Sequence, residues 1–129
     1  MNKKRILLVD DEKSFTAMLK LNLEASGRYE VEIENSSVKA VNAALRFRPE
    51  LILLDVIMPQ KEGPDVAADF RLTQALAKIP IVFLTATITK EEADQEGGRI
   101  GGHPFVAKPG SLRELMDSIE TNIGSASLN

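Results

Sequence analysis

The chain contains no cysteine and only one histidine, His103, among its 129 residues. The lack of cysteine excludes disulfides, thiolate metal sites and cysteine nucleophiles. A single histidine also excludes a metal site built from several imidazoles, and we expect His103 to be a loop residue without a catalytic role. No apolar run approaches the roughly 20 residues of a membrane span, and the apolar run after Met1–Arg5 is too short for a signal peptide. We therefore expect a cytoplasmic protein without a membrane segment.

The charge balance is slightly acidic, with a formal net charge of −3. Binding to the phosphate backbone of nucleic acids relies on clustered Lys and Arg, so we expect no direct nucleic-acid binding by this chain. Its length suits one compact domain that needs no metal or disulfide to hold its core. We place that domain at residues 1–124 and a flexible tail at residues 125–129.

Short apolar segments recur along the chain and predict β-strands. Residues 5–10, 51–55 and 81–85 are continuous apolar runs, which are typical of strands buried on both faces. Residues 29–34 alternate between apolar and acidic side chains, which indicates a more exposed strand near a sheet edge. Residues 105–107 indicate a short fifth strand.

Helical patterns lie between these strands. They cover residues 12–26, 37–47 and 64–76, and two more begin at Thr89 and Ser111. The first pattern places Phe15, Met18, Leu19 and Leu23 on one face. Strict alternation of short buried strands and helices predicts a parallel sheet with helices on both faces, the doubly wound α/β class. Ligands of such folds lie beyond the carboxyl ends of the strands.

Polar side chains stand where four of the predicted strands end. Asp10 and Asp11 close the first strand, Asp55 the third and Thr85 the fourth, and Lys108 follows the fifth. Each residue alone is also explained as a helix cap or a loop residue. Because the carboxyl ends of parallel strands share one edge of a sheet, the combination instead predicts a single site.

Three crowded carboxylates raise one another's pKa unless a cation is bound beside them. Oxygen ligands without a cysteine or histidine cluster favour a hard ion such as Mg²⁺. A carboxylate beside such an ion can attack a phosphoryl donor and form an aspartyl phosphate. Lys108 would then neutralise charge on the transferred group, and Thr85 would donate a hydrogen bond to it.

Four ordered motifs resemble the response regulator receiver family of two-component (phosphorelay) signalling. They are LLVDDE at residues 7–12, LDVIMP at 54–59 with Gly63, FLTA at 83–86 and FVAKP at 105–109. The resemblance covers almost the whole chain. It implies the flavodoxin-like (βα)5 receiver fold, whose five-stranded parallel sheet has the strand order 2-1-3-4-5.

The resemblance also implies roles for individual residues. Asp55 would be the phosphoacceptor. Asp11 and Asp55 would bind Mg²⁺ directly, together with the backbone carbonyl of Ile57, and Asp10 would assist through water.

The remaining implications of the resemblance concern signalling. Thr85 and Phe105 would form the pair that changes conformation after phosphorylation. The phosphoryl group would come from a sensor histidine kinase or a histidine phosphotransfer protein. The chain would then control a downstream effector protein or a missing output domain, as a monomer or a weak phosphorylation-dependent dimer. We expect a signalling switch rather than an enzyme.

Three other functions are weighed against this one. A constitutive interaction module is disfavoured by the intact acids, Thr85 and Lys108. Phosphatases of the haloacid dehalogenase group typically place a general acid two residues beyond the nucleophile, where this chain has Ile57. A flavodoxin-like FMN carrier would need a phosphate-binding loop rich in Ser, Thr and Gly after the first strand, and that loop is missing.

Glycine placement departs from the family pattern. Four of the eight glycines fall within residues 97–102, and Gly110 stands where receivers more usually carry a bulky apolar residue. Because ordering glycine is entropically costly, we expect the helix from Thr89 to end early. Arg99 and Ile100 would then lie in a mobile loop, with Ile100 available to a partner.

Overall fold

The computed structural model describes residues 3–86, 99–100, 102–108 and 110–127, with side chains as far as residue 123. The strands are β1 (Lys4–Val9), β2 (Tyr29–Glu34), β3 (Leu51–Asp55), β4 (Ile81–Thr85), β5 (Arg99–Ile100) and β6 (His103–Ala107). The α-helices in these ranges are α1 (Lys13–Ala25), α2 (Ala40–Phe47), α3 (Gly63–Leu72) and α4 (Leu112–Ser127), with short 3₁₀ turns at Ser37–Lys39 and Gln74–Leu76. Helix α4 thus reaches three residues into the predicted tail.

The predicted helix from Thr89 lies outside the described residues, as do Gly97 and Gly98. None of the helices in the described part of the chain is long and apolar enough to cross a membrane.

One sheet carries all six strands, in the order β2-β1-β3-β4-β6-β5. The first five strands of this order are mutually parallel. The predicted order 2-1-3-4-5 is confirmed, since the predicted fifth strand corresponds to β6. The prediction of a five-stranded, wholly parallel sheet is wrong by one strand, because β5 pairs with β6 in the antiparallel direction.

The extra strand results from a tight hairpin before β6. Arg99 lies opposite Pro104 and Ile100 lies opposite His103. Gly102 has a φ of +86°, a left-handed conformation that glycine adopts without the strain a Cβ would cause. Arg99 and Ile100 are therefore strand residues, and the prediction that they lie in a mobile loop is wrong. Ile100 also packs against the apolar core and is not presented to a partner.

Two apolar layers cover the sheet, one on each face, because consecutive strand residues point in opposite directions. Leu8 contributes to the layer beneath α1 and α4, and Leu7 to the layer beneath α2 and α3. The continuous apolar runs of the central strands thus supply both cores. On α1 the core-facing residues include Leu19 and Leu23, whereas Met18 is 49% exposed, contrary to its predicted position on the apolar face.

Candidate functional site

Three carboxylates meet at the carboxyl edge of the sheet. Asp10 follows β1, and Asp55 is the last residue of β3. Each of Asp10, Asp11 and Asp55 offers an oxygen, and these oxygens lie within 4.8 Å of one another. Asp10 and Asp55 are buried, and Asp11 is exposed to solvent. The topology therefore brings the three acids together around a point that is open on one side.

Lys108 reaches this cluster from the end of β6. Its Nζ donates hydrogen bonds of 2.7 Å to Asp10 Oδ2 and 2.7 Å to Glu12 Oε1. The distance from Nζ to Asp55 Oδ2 is longer, at 3.7 Å. The ring of Phe15 lies beneath the ammonium group, with its centroid 4.6 Å from Nζ. The cation is thus buried and held mainly by Asp10 and Glu12, in the segment between β1 and α1, rather than by Asp55.

The local electrostatics leave the site rich in negative charge. Burial raises the pKa of Asp55 to about 6, helped by the Asp10 and Asp11 charges and opposed by Lys108. Burial would lower the pKa of Lys108, but its hydrogen bonds to Asp10 and Glu12, together with nearby carboxylate charges, raise it above its usual value. The site therefore holds four acids, Asp10, Asp11, Glu12 and Asp55, and one ammonium group, an excess of negative charge that favours a further cation.

Asp10 serves both as a helix-start acceptor and as a member of the site. Its Oδ1 accepts a hydrogen bond of 3.0 Å from the Glu12 N–H at the start of α1, while Oδ2 accepts from Lys108. Its backbone carbonyl accepts a 2.7 Å hydrogen bond from the side-chain amide of Asn35. Asp10 thus supports the turn before α1 and contacts Lys108, but it is not the helix cap that the sequence also allowed, because Glu12 is the N-cap residue of α1.

The loop after β3 is closed tightly around the end of that strand. The Gly63 N–H donates a 2.7 Å hydrogen bond to the Val56 carbonyl, and the Ser37 hydroxyl donates one of 2.9 Å to the Pro59 carbonyl. A Cβ on Gly63 would lie only 2.2 Å from the Asp55 carbonyl oxygen. Glycine at this position therefore lets α3 begin directly against the backbone that carries the Asp55 side chain.

The other predicted site residues lie along the same edge. Thr85 is the buried last residue of β4, and its carbonyl accepts a 2.9 Å hydrogen bond from the Lys108 N–H. Ile57 stands two residues beyond Asp55 with a side chain that is 54% exposed. Phe105 lies opposite Phe83 in the β4–β6 register and packs against the core layer under α2 and α3. Phe105 is therefore near Thr85 in the sheet but belongs to the core rather than to the acid cluster.

His103 does not lie in a loop as predicted. It is the buried first residue of β6, and its ring meets Phe83 edge-to-face at 5.7 Å. Arg71 Nη2 lies 3.3 Å from both ring nitrogens. Burial, followed by the charges of Arg71 and Arg99, lowers the pKa of His103. The hairpin from β5 places His103 in the sheet, away from the acids.

Sequence reasoning missed the residues that support the acids and the lysine. Lys108 is contacted by Glu12, the residue before α1, and by Phe15 within α1, and Asn35 binds the Asp10 backbone. Glu12 carries a weak signal, since it directly follows the two aspartates. The other two carry none, because their partners are distant in sequence and no local pattern marks them.

The fold and this site define a class, the α/β signalling domains with an acidic pocket at the carboxyl edge of a parallel sheet. Residues 6–120 match the sequence model of the family described as response regulator receiver domain. The chain therefore belongs to the response regulator receiver family.

Two curated relatives are transcriptional regulators by name. The transcriptional regulatory protein RprY of Bacteroides fragilis is 38% identical over 118 residues, which are 92% of this chain and 48% of the relative. The alkaline phosphatase synthesis transcriptional regulatory protein PhoP of Bacillus subtilis is 40% identical over 116 residues, which are 89% of this chain and 46% of the relative. The chain thus spans about half the length of these relatives.

Two solved structures resemble nearly the whole chain. The chemotaxis protein CheY4 of Vibrio cholerae has a TM-score of 0.81 and 28% identity, covering 94% of this chain and 99% of that one. The receiver domain of the sensor histidine kinase PA1611 of Pseudomonas aeruginosa has a TM-score of 0.82 and 27% identity, covering 95% of this chain and 99% of that one. In the latter structure a magnesium ion is coordinated in the active site cleft.

Proposed function

We propose that this chain is a phosphorylation-dependent switch in which Asp55 accepts a phosphoryl group in the presence of Mg²⁺. The observation that carries the proposal is the cluster of Asp10, Asp11 and Asp55 oxygens within 4.8 Å, with the Lys108 ammonium group at its side. Membership of the receiver family, in which aspartate phosphorylation and Mg²⁺ are general features, supports the same assignment.

The donor set suits Mg²⁺. It consists of carboxylate oxygens, one of them on the exposed Asp11, and the Ile57 backbone carbonyl would complete the protein ligands. Asp11 and Asp55 would bind the ion directly, and Asp10 would act through water because its carboxylate already accepts from Lys108 and from the Glu12 N–H. When bound, Mg²⁺ supplies positive charge that offsets the carboxylates and polarises the phosphoryl group.

The protein's own groups account for the transfer. An Asp55 carboxylate oxygen forms a bond to phosphorus, and the bond from phosphorus to the donor breaks, with its electron pair leaving on the donor. Lys108 is close enough to approach a phosphoryl oxygen, since its Nζ already lies 3.7 Å from Asp55 Oδ2. The Thr85 hydroxyl, at the end of the neighbouring strand, would donate a hydrogen bond to another phosphoryl oxygen.

Signal output would follow from the position of Thr85 between the site and Phe105. Reorientation of Thr85 toward the phosphoryl group opens space on the side of β4 that faces β6. The Phe105 ring, which is only partly buried at present, would move into that space and alter the adjoining surface. In this scheme the chain is a signalling module that slowly hydrolyses its own aspartyl phosphate.

Partners follow from this scheme. The phosphoryl group would come from a sensor histidine kinase or a histidine phosphotransfer protein. An effector protein, or an output domain like the additional half of the longer relatives, would read the switched surface. The acidic net charge of the chain predicts that any DNA contact would be made by such an output domain.

The test is covalent labelling. Incubation with Mg²⁺ and acetyl phosphate should add one acid-labile phosphoryl group, which intact-protein mass spectrometry detects. Asp55→Asn should add none, while Asp117→Asn, which changes an exposed carboxylate on α4, should label like the parent. Removal of Mg²⁺ with a chelator should stop the reaction. Equal labelling of Asp55→Asn and the parent would refute the assignment.

A further inference from the structure

Glu12 occupies a helix-capping position without acting as a cap. It is the N-cap residue of α1, where Ser, Thr, Asp and Asn are preferred because their short side chains reach the first free N–H groups. Within the described part of the chain, the Glu12 side chain makes no capping hydrogen bond. Its carboxylate instead accepts from Lys108 Nζ at 2.7 Å, across 96 residues of sequence. Capping of α1 therefore does not explain why the Glu12 side chain points toward Lys108.

The contacts of Lys108 divide into a permanent one and a releasable one. Asp10 is wholly buried, so its carboxylate has no alternative environment and keeps its hydrogen bond to the ammonium group. The Glu12 side chain is 59% exposed, so water can solvate its carboxylate when the hydrogen bond to Lys108 breaks. Two of the three ammonium N–H groups point to these two acids, and Asp55 Oδ2 lies beyond hydrogen-bonding distance at 3.7 Å.

We propose that Glu12 is a positioning residue that draws the Lys108 ammonium group away from Asp55 before phosphorylation and releases it to the incoming phosphoryl group. The inference rests on the proposed function, since it assigns the released N–H to a phosphoryl oxygen. Phe15, three residues further along α1, lies against the same ammonium group and keeps it at this end of the helix during the exchange. Lys108 then moves a short way between carboxylate and phosphoryl partners without crossing bulk solvent.

The first measurement concerns the unmodified protein and needs neither metal nor donor. The hydrogen exchange of the Lys108 ammonium protons with water can be followed by ¹H–¹⁵N NMR, with Lys108→Met to assign the signal. Glu12→Ala should accelerate this exchange several-fold. Glu12→Asp keeps the charge but shortens the side chain by one methylene, so it should also accelerate exchange. Unchanged exchange in both variants would overturn the proposal.

The second measurement is the rate of labelling by acetyl phosphate with Mg²⁺. Release of one exposed ion-pair contact corresponds to about a two- to fivefold faster reaction, which we expect for both Glu12→Ala and Glu12→Asp. Glu62→Ala removes an equal charge from an exposed position in the β3–α3 loop and should label at the parent rate.

These variants distinguish two explanations for faster labelling: release of Lys108 from Glu12, or weaker repulsion between the protein and the anionic donor. If Glu12→Ala were faster but Glu12→Asp matched the parent, charge alone would explain the rate and positioning would be overturned. If Glu62→Ala accelerated labelling as much as Glu12→Ala, the same conclusion would follow. A parent protein that is not labelled at all would refute the proposed function, and the exchange measurement would still decide whether Glu12 holds Lys108.

Discussion

Gly63→Ala should separate the architecture of the acid cluster around Asp55 from the stability of the rest of the fold. The added Cβ would lie 2.2 Å from the Asp55 carbonyl oxygen and 2.9 Å from the Val56 Cα. Cβ contacts shorter than 3.0 Å essentially do not occur, so α3 and the end of β3 must separate by about 0.8 Å. Both colliding atoms belong to the backbone, and no change of rotamer relieves the contact.

The magnitude follows from the rigidity of the contact. Overpacking of a well-packed interior typically lowers the free energy of unfolding by about 1–3 kcal/mol, and a backbone collision belongs at the upper end of that range. The displaced atom is part of Asp55 itself. Since misplacement of a reacting group by ~1 Å can slow a reaction about 100-fold, we expect labelling by acetyl phosphate to fall by about tenfold or more.

Urea unfolding followed by circular dichroism, together with the labelling rate, provides the assay. Gly27→Ala is the matched control, because Gly27 has a φ of +79° and a Cβ added there would meet no non-neighbouring atom of the described residues within 4 Å. It lies after α1, near the amino edge of the sheet, so it should lose only about 1–2 kcal/mol and label normally. If Gly63→Ala labelled as fast as Gly27→Ala, the close approach of α3 would not position Asp55.

Two further predictions concern parts of the fold outside the acid cluster. Tyr29 is the only tyrosine in a chain without tryptophan, and burial, reinforced by its hydrogen bond to Glu120, raises its pKa to about 12. Tyrosinate absorbance should therefore appear near pH 12 in the folded protein. The free energy of unfolding should fall between pH 10 and 12, because in that range the tyrosine of the unfolded chain has lost its proton while that of the folded chain has not. Ionisation of Tyr29 near pH 10 in the folded protein would contradict this. Gly102→Ala should strain the hairpin turn by about 1–2 kcal/mol and accelerate amide exchange at residues 99–104, and unchanged exchange would show that the turn tolerates a side chain.

The order of elements was predictable because each signal is local. Continuous apolar runs mark strands buried on both faces, and their alternation with helical patterns leads to a doubly wound parallel sheet. The acids could be placed for the same reason, since Asp10 and Asp55 close such runs and parallel strands present their carboxyl ends at one edge. The clustering of the carboxylates was thus predictable, because each aspartate lies at the end of a strand that the sequence itself marks.

Only the tertiary structure decided which acids bind Lys108 and how Arg99 and Ile100 pair with β6. The sequence offers four acids as partners for Lys108. The position of the β1–α1 segment relative to β6 selects among them, since Lys108 Nζ lies 2.7 Å from Asp10 Oδ2 and from Glu12 Oε1 but 3.7 Å from Asp55 Oδ2. Composition alone suggested that glycines loosen the segment before β6. Gly102 instead adopts a left-handed conformation directly before β6, and the pairing of β5 with β6 and the packing of Ile100 on the core offset its loss of backbone entropy.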